Sequence, residues 1–267
     1  MSTQTTTSIV TINTLHEMRR KKEKIACLTA YDAAFAKVID DAQIDVILVG
    51  DSLGMIVQGN TSTVSVSMDD MLYHTQCVTN TARHALIIAD MPFMSYTNIE
   101  TALHNATQLM QIGGAHMVKL EATERQTEIV TELSACGIPV CAHLGLRPQY
   151  VHKLGGYKIQ GKDNASAQNI LQTSQLLEQA GADLLLVECI PSKLADEITQ
   201  QVNIPVIGIG AGAGCDGQIL VLHDILGVTP GKTPTFSKNY MQANNTIQTA
   251  VSEYIQEVKT GVFPSAK

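Results

Sequence analysis

Short aliphatic runs alternate with longer amphipathic stretches along the chain. The runs are IACLTA from Ile25, VILV from Val46, ALIIA from Ala85, MVKL from Met117, PVCAHL from Pro139, LLLV from Leu184 and PVIGI from Pro205. Each has the length of a strand and is apolar at consecutive rather than alternate positions, the pattern of a parallel strand covered on both faces. An eighth run, QILVL from Gln218, is β-like but follows its predecessor with almost no space for a crossover helix.

The stretches between the runs carry helix signals. Asp32 stands before AAFAKVIDDA as a cap, and Ser67 with Asp70 makes a capping-box start to a helix through Tyr73 and Val78. Thr123 precedes ERQTEIVTELSACG, which stops at Gly137. Helical patterns also run over 98–112 up to a Gly-Gly pair, over 166–180 before Gly181, and over 192–202. Two helices lie outside the alternation. One begins near Thr14, with Glu17 as its capping partner, and the other places Ile247, Val251, Tyr254, Ile255 and Val258 on one face. No linker or internal repeat divides the chain. Residues 1–267 therefore read as a single α/β domain, a (β/α)8 TIM barrel with an extra N-terminal helix and a C-terminal helix. Residues 1–12 read as a loosely ordered N-terminus, and a doubly wound open sheet is the rival architecture.

Composition narrows the functional classes. The 267 residues are 45% hydrophobic and 16% charged, too apolar for a disordered chain. No apolar run approaches the roughly 18 residues of a membrane span. A net charge of −7 leaves no global positive field to gather nucleic acid or an anionic membrane. The one basic run, Arg19 to Lys24, reads as the solvated end of a helix. Six cysteines without a CxxC pair suit a reducing cytoplasm. The N-terminus places Ser/Thr residues before the basic cluster, the reverse of a secretory signal, while a short organelle-targeting leader stays open.

In a (β/α)8 barrel the reacting groups sit at the C-terminal ends of strands. The polar residues there are Asp32, Asp51 with Ser52, Asp90, Lys119 with Glu121, His143 and Glu188, followed by the GIGAG turn. Asp32 is read as a helix cap. Asp51, Asp90 and Glu121 come from neighbouring strands, and three acids held together repel unless a cation sits among them. Hard oxygen donors favour Mg²⁺, although pairing with Lys119 would also neutralise them. Glu188 ends an apolar strand, where burial raises a carboxyl towards the range of a general base; a hydrogen-bonded structural Glu is the alternative. His143 reads either as a satisfied core histidine or as a site residue. Residues 208–214 could offer backbone N–H groups to an anion, and residues 154–162 form either a lid over the barrel mouth or an ordinary loop.

In collinear order, LTAYD (28–32), VGDSLGMIVQG (49–59), ADMPFMSY (89–96), MVKLE (117–121), HLGLRPQ (143–149), GGYKIQG (155–161), LLLVEC (184–189), PVIGIGAG (205–212) and DGQILVLHD (216–224) resemble the ketopantoate hydroxymethyltransferase family. The resemblance implies a (β/α)8 barrel and a Mg²⁺-dependent enzyme. Its reaction would move a hydroxymethyl group from 5,10-methylenetetrahydrofolate to 3-methyl-2-oxobutanoate, giving 2-dehydropantoate in the first committed step of pantothenate synthesis. It also implies a homo-oligomer, typically a decamer of two pentamers. Carried onto this chain, the family's metal ligands fall on Asp51, Asp90 and Glu121, and its keto-acid contacts on Asp51, Ser52, Asp90 and Lys119. Its base falls on Glu188, which would form a Mg²⁺-stabilised enolate, and its active-site histidine falls on His143. Three positions depart from the family pattern: an extra residue at Gly113-Gly114, Ala122 in place of a glycine, and Thr235 in place of a basic residue. Two other functions are weighed: a different Mg²⁺ barrel enzyme acting on 2-oxo acids, such as an isocitrate-lyase-like lyase, for which none of the six cysteines is placed as a reactive loop thiol, and a non-catalytic metabolite-binding barrel, against which the three acids, Lys119 and Glu188 argue.

Overall fold

The computed structural model describes residues 9–243 and 245–265. Its strands are β1 (Ile25–Thr29), β2 (Val46–Val49), β3 (Leu86–Asp90), β4 (Met117–Glu121), β5 (Val140–Gly145), β6 (Leu184–Glu188), β7 (Val206–Ile209) and β8 (Gly217–Leu220). They pair in parallel and in chain order, and β8 returns to β1, so the sheet closes and the open doubly wound alternative fails. The weakly signalled eighth strand is a full member of the barrel. Gly217 is in register with both Ile207 and Ile25. No crossover helix is needed there because the chain turns between β7 and β8 through Gly210 and Gly212, both at positive φ.

Alternate residues of each strand face opposite sides, which explains the consecutive apolar runs. One set, including Ala26, Ile47, Ile87, Val118, Ala142, Leu185 and Val206, packs outwards against the helices. The other, including Cys27, Leu48, Ile88, Met117, Cys141, Leu186, Ile207 and Ile219, fills the barrel. It leaves a cavity of only about 10 Å³, so the interior is a packed core and not a channel.

The helices are α1 (Ile12–Lys21), α2 (Ala33–Asp41), α3 (Leu53–Ile56), α4 (Met68–Thr79), α5 (Ile99–Gln111) and α6 (Thr127–Ala135). They continue with α7 (Val151–Leu154), α8 (Asn164–Gln179), α9 (Ser192–Gln201), α10 (Leu222–Leu226) and α11 (Ile247–Thr260). Among these described elements none is long and apolar enough to cross a membrane. Asp32 caps α2 by accepting from Phe35 N at 2.9 Å, and Ser67 and Asp70 form the reciprocal box that starts α4. Thr123 caps a 3-10 turn (Glu124–Gln126) that leads into α6.

Two sequence expectations need correction. The first helix starts earlier than Thr14: extended Thr11 is its cap, Thr14 returns the bond, and Glu17 instead pairs with Lys21 one turn on. Nor is the basic run merely solvated. The Arg19 guanidinium lies 3.0 Å from Asp216 and donates to the carbonyls of Thr199, Val202 and Asn203, while Lys24 donates to those of Ala213 and Cys215. These two cations satisfy backbone oxygens at the closed end of the barrel, where Leu15 and Met18 of α1 seal the interior. Of the N-terminal stretch 1–12, residues 1–8 lie outside the described residues; Val10 is buried and donates its N–H to His84 O at 2.7 Å. At the other terminus, the Tyr254 hydroxyl sits 2.8 Å from Cys27 O and 3.1 Å from Gln218 O, fixing α11 across β1 and β8.

Candidate active site

Strand parity assembles the site. Asp90 continues the inward series Leu86, Ile88; Lys119 and Glu121 continue Met117; His143 follows Cys141; Glu188 follows Leu184 and Leu186. Register then sets neighbours side by side: Asp90 beside Lys119, Glu121 beside His143, and Gly145 beside Glu188. The aliphatic layer below excludes water, and the polar layer above lines the mouth. Asp51 and Ser52 enter just past β2, where Asp51 N donates to Asp90 Oδ2 at 3.0 Å. The Ser52 hydroxyl lies 2.8 Å from the Tyr31 hydroxyl. Gly145 makes the β5–β6 approach possible: at φ +88° it occupies a left-handed region, and a Cβ there would lie 2.3 Å from Glu188 O.

A line of contacts crosses the mouth. Asp90 Oδ1 lies 2.9 Å from Lys119 Nζ, Lys119 Nζ 3.3 Å from His143 Nδ1, and His143 Nε2 3.2 Å from Glu188 Oε2. The first is an ion pair and the last a close polar contact, both lying off the ideal hydrogen-bond directions, so Asp90 Oδ1 and His143 Nε2 lack a well-aligned partner. Burial opposes charge on Lys119, yet Asp90, Asp51 and Glu121 outweigh it and push its ammonium pKa up. A protonated Lys119 only donates, so His143 accepts at Nδ1 and carries its proton at Nε2, facing Glu188. Burial first, then Lys119 and Arg147, pulls the His143 pKa well down and keeps the ring neutral. Burial pushes Glu188 up to about 8, with Asp51 and Asp90 adding to the shift and Lys119 opposing it.

The acids hold more negative charge than the site neutralises. Burial and Asp90 raise Asp51, and burial and Asp51 raise Glu121. Asp51 and Asp90 are joined through the Asp51 backbone N–H, which donates to Asp90 Oδ2. Glu121 instead turns both oxygens to the backbone N–H of Gln149, at 3.1 and 3.2 Å. Among the described residues no group of three or more His, Cys, Asp or Glu side chains is gathered to hold a metal ion as it stands. The chemistry of the donor set nonetheless suits a hard divalent cation: oxygen only, buried, in surplus negative charge, with Asp90 Oδ1 lacking a directed donor.

Sequence reasoning missed Gln149 and Tyr96. Gln149 is buried and donates from Nε2 to Asp51 Oδ2 at 2.8 Å and to Met91 O at 3.0 Å, while its Oε1 accepts from the Tyr96 hydroxyl at 2.5 Å. Neither residue ends a strand and neither carries charge at neutral pH, so a search of strand ends for titratable groups passes over both. Their signal lay in the ADMPFMSY and HLGLRPQ segments. Residues 154–162 lie beside the barrel mouth. Tyr157 reaches across to donate to Met55 Sδ at 3.4 Å, and Gln160 N donates to Cys189 O at 2.9 Å. Burial, then Glu188, Asp51 and Glu121, raises the Tyr157 pKa, so its hydroxyl feels the site's acids. Cys189, directly after Glu188, holds φ +47°, and burial together with Glu188 pushes its thiol up to about 12. It is a thiol and not a thiolate nucleophile.

Over nearly its whole length the chain is similar to known proteins. The family model of ketopantoate hydroxymethyltransferase matches residues 9–266. A protein of Alkalilimnicola ehrlichii named 3-methyl-2-oxobutanoate hydroxymethyltransferase is 57% identical over 96% of this chain and 93% of its own length. Its namesake from Marinobacter nauticus is 55% identical over 96% and 97%. Among solved structures, phosphonopyruvate hydrolase in complex with oxalate and Mg++ superposes with a TM-score of 0.58 at 15% identity, covering 79% of this chain and 80% of that one. A 2,3-dimethylmalate lyase of the PEP mutase/isocitrate lyase superfamily gives 0.56 at 16% identity, covering 78% and 80%. At such identity the likeness is one of fold. The full-length family match and the close relatives place this chain in the ketopantoate hydroxymethyltransferase family.

Proposed function

We propose that this protein transfers a hydroxymethyl group from 5,10-methylenetetrahydrofolate to 3-methyl-2-oxobutanoate, giving 2-dehydropantoate and tetrahydrofolate for pantothenate synthesis. The observation that carries the reading is the placing of Glu188: a largely buried carboxyl at the mouth of a packed barrel, 3.2 Å from His143 Nε2, where desolvation pushes its pKa up to about 8. A base of that strength suits removal of the C3 proton of a 2-oxo acid. Membership of the ketopantoate hydroxymethyltransferase family supports the choice of substrates.

Asp51, Asp90 and Glu121 would hold a Mg²⁺ ion. When bound, such an ion supplies Lewis-acid polarisation of the substrate's 2-oxo group. The chain's own residues do the remainder. Lys119 and Ser52 orient the keto-acid carboxylate, the lysine by charge and the serine through the hydroxyl that Tyr31 already positions. Glu188 takes the C3 proton, with the neutral His143 ring packed 3.2 Å from its Oε2 and limiting where the carboxyl can point. C3 then forms a bond to the one-carbon unit, whose bonds to folate nitrogen break, and water supplies the hydroxyl oxygen. Tyr157 and its loop limit the access of bulk water to this step. The working form is a homo-oligomer, as a decamer, in the cytoplasm.

Formation of ketopantoate from the two substrates, with and without chelator, tests the reaction; no product with metal present would refute it. Glu188→Gln should retain cation and keto-acid binding but lose C3 proton exchange in deuterated water. Exchange at the wild-type rate would remove Glu188 from the role.

A further inference from the structure

We propose that Gln149 is a positioning residue that holds Asp51, with Tyr96 behind it, in the arrangement needed to receive a divalent cation. The inference rests on the cation assigned to this site in the proposed function. Gln149 is only 4% exposed, and its side-chain amide nitrogen is committed twice, to Asp51 Oδ2 and to Met91 O. Its carbonyl accepts from Tyr96. Turning the amide over would aim its oxygen at two acceptors, the Asp51 carboxylate and the Met91 carbonyl. The network therefore fixes which way the amide points.

The type of donor is as informative as its position. A Lys or Arg at this place would neutralise Asp51 and compete with a cation for its charge. The Gln149 amide fixes one Asp51 oxygen and brings no charge of its own, leaving the other oxygen uncommitted by Gln149. Its backbone N–H likewise holds Glu121 without adding charge. One residue in the 3-10 turn Pro148–Tyr150, just after β5, thus holds acids that belong to two other parts of the barrel. Hydrogen-bond partners of metal ligands typically change metal affinity by about 10–100-fold when removed.

Gln149→Met keeps the side chain's length and the backbone N–H to Glu121 while deleting the amide. Tyr96→Phe removes only the hydroxyl that orients the amide, and that hydroxyl's partner is Gln149 Oε1. The measurement is Mn²⁺ binding to the substrate-free full chain, followed by electron paramagnetic resonance, with thermal unfolding in chelator recorded alongside. The expected result is affinity weakened about 10–100-fold in Gln149→Met and about 2–10-fold in Tyr96→Phe, with cooperative unfolding preserved. A packing role would lower the unfolding midpoint and leave Mn²⁺ affinity unchanged, and that result overturns the proposal. If Gln149→Met fails to fold, equal affinity in Tyr96→Phe and wild type overturns it. If the wild-type chain itself binds no Mn²⁺, the cation assignment falls, and this proposal with it.

Discussion

Replacing Glu188 with Gln should stabilise the metal-free protein at pH 8 relative to wild type and change little at pH 5. Burial raises this carboxyl from 4.5 to about 8 in the folded chain. Between those values the native state keeps a proton that the unfolded chain has released, so stability falls as pH rises. The contribution is fully present below the unfolded value and is lost as pH climbs through the folded one. At about 1.36 kcal/mol per unit, the loss between pH 5 and pH 8 integrates to at most about 3.5 kcal/mol. The Glu188 side chain keeps 16% exposure, which lets water support the anion and brings the expected loss to about 2–3.5 kcal/mol. For a chain of this size that corresponds to roughly 5–12 °C in the unfolding midpoint.

The assay is thermal unfolding by circular dichroism, in chelator, on both proteins at both pH values. The introduced amide cannot ionise and has nearly the size and shape of the carboxyl it replaces, so packing is kept and only the titration is removed. The shifted groups present in both proteins, among them His143, Asp51 and Glu121, cancel to first order in the difference between pH 5 and pH 8. A wild-type minus variant gap equal at the two pH values would refute the reasoning. Glu188 would then sit in ordinary solvent, and its strength as a base would have no physical source.

Three further outcomes follow from the same geometry. Lys119→Met leaves the buried Asp90 and Asp51 without their cationic partner and should cost about 3–5 kcal/mol by urea unfolding in chelator at pH 7. Part of that loss should return on adding Mg²⁺, and a null effect would mean the lysine is not compensating them. Gly145→Ala should cost about 3 kcal/mol or more, because the new Cβ meets Glu188 O at 2.3 Å and φ is +88°; a wild-type urea midpoint would contradict the close approach. Gln43→Gly, at the left-handed position (φ +63°) beyond α2, should gain about 0.5–1 kcal/mol by the same measurement, and a loss would mean that its side-chain bond to Asp40 O outweighs the strain.

The barrel was legible because strand and helix periods are local properties. Consecutive apolar residues at 25–28 or 184–187 fit a strand buried on both sides, and Asp32 and Ser67 announce their helices by type and spacing alone. The strand-end acids were legible for a related reason: parity makes Asp90, Glu121 and Glu188 continue apolar inward series, where a charge needs a cause. The eighth strand was weakly signalled because closure depends on a partner about 190 residues away, and Ile25 in register with Gly217 is not a property of either segment. The same limit hid the hub of the site. Gln149 matters because it lies between Asp51, Glu121 and Tyr96, residues 28 to 98 positions distant, and an uncharged amide advertises nothing until its neighbours are known. Arg19 misled in the opposite direction: a cation in a basic run reads as solvated, whereas its guanidinium meets carbonyls at 199, 202 and 203 and the Asp216 carboxylate. Charged residues at the ends of strands can thus be placed by parity, while groups whose value lies in bridging other side chains become visible only when the barrel closes.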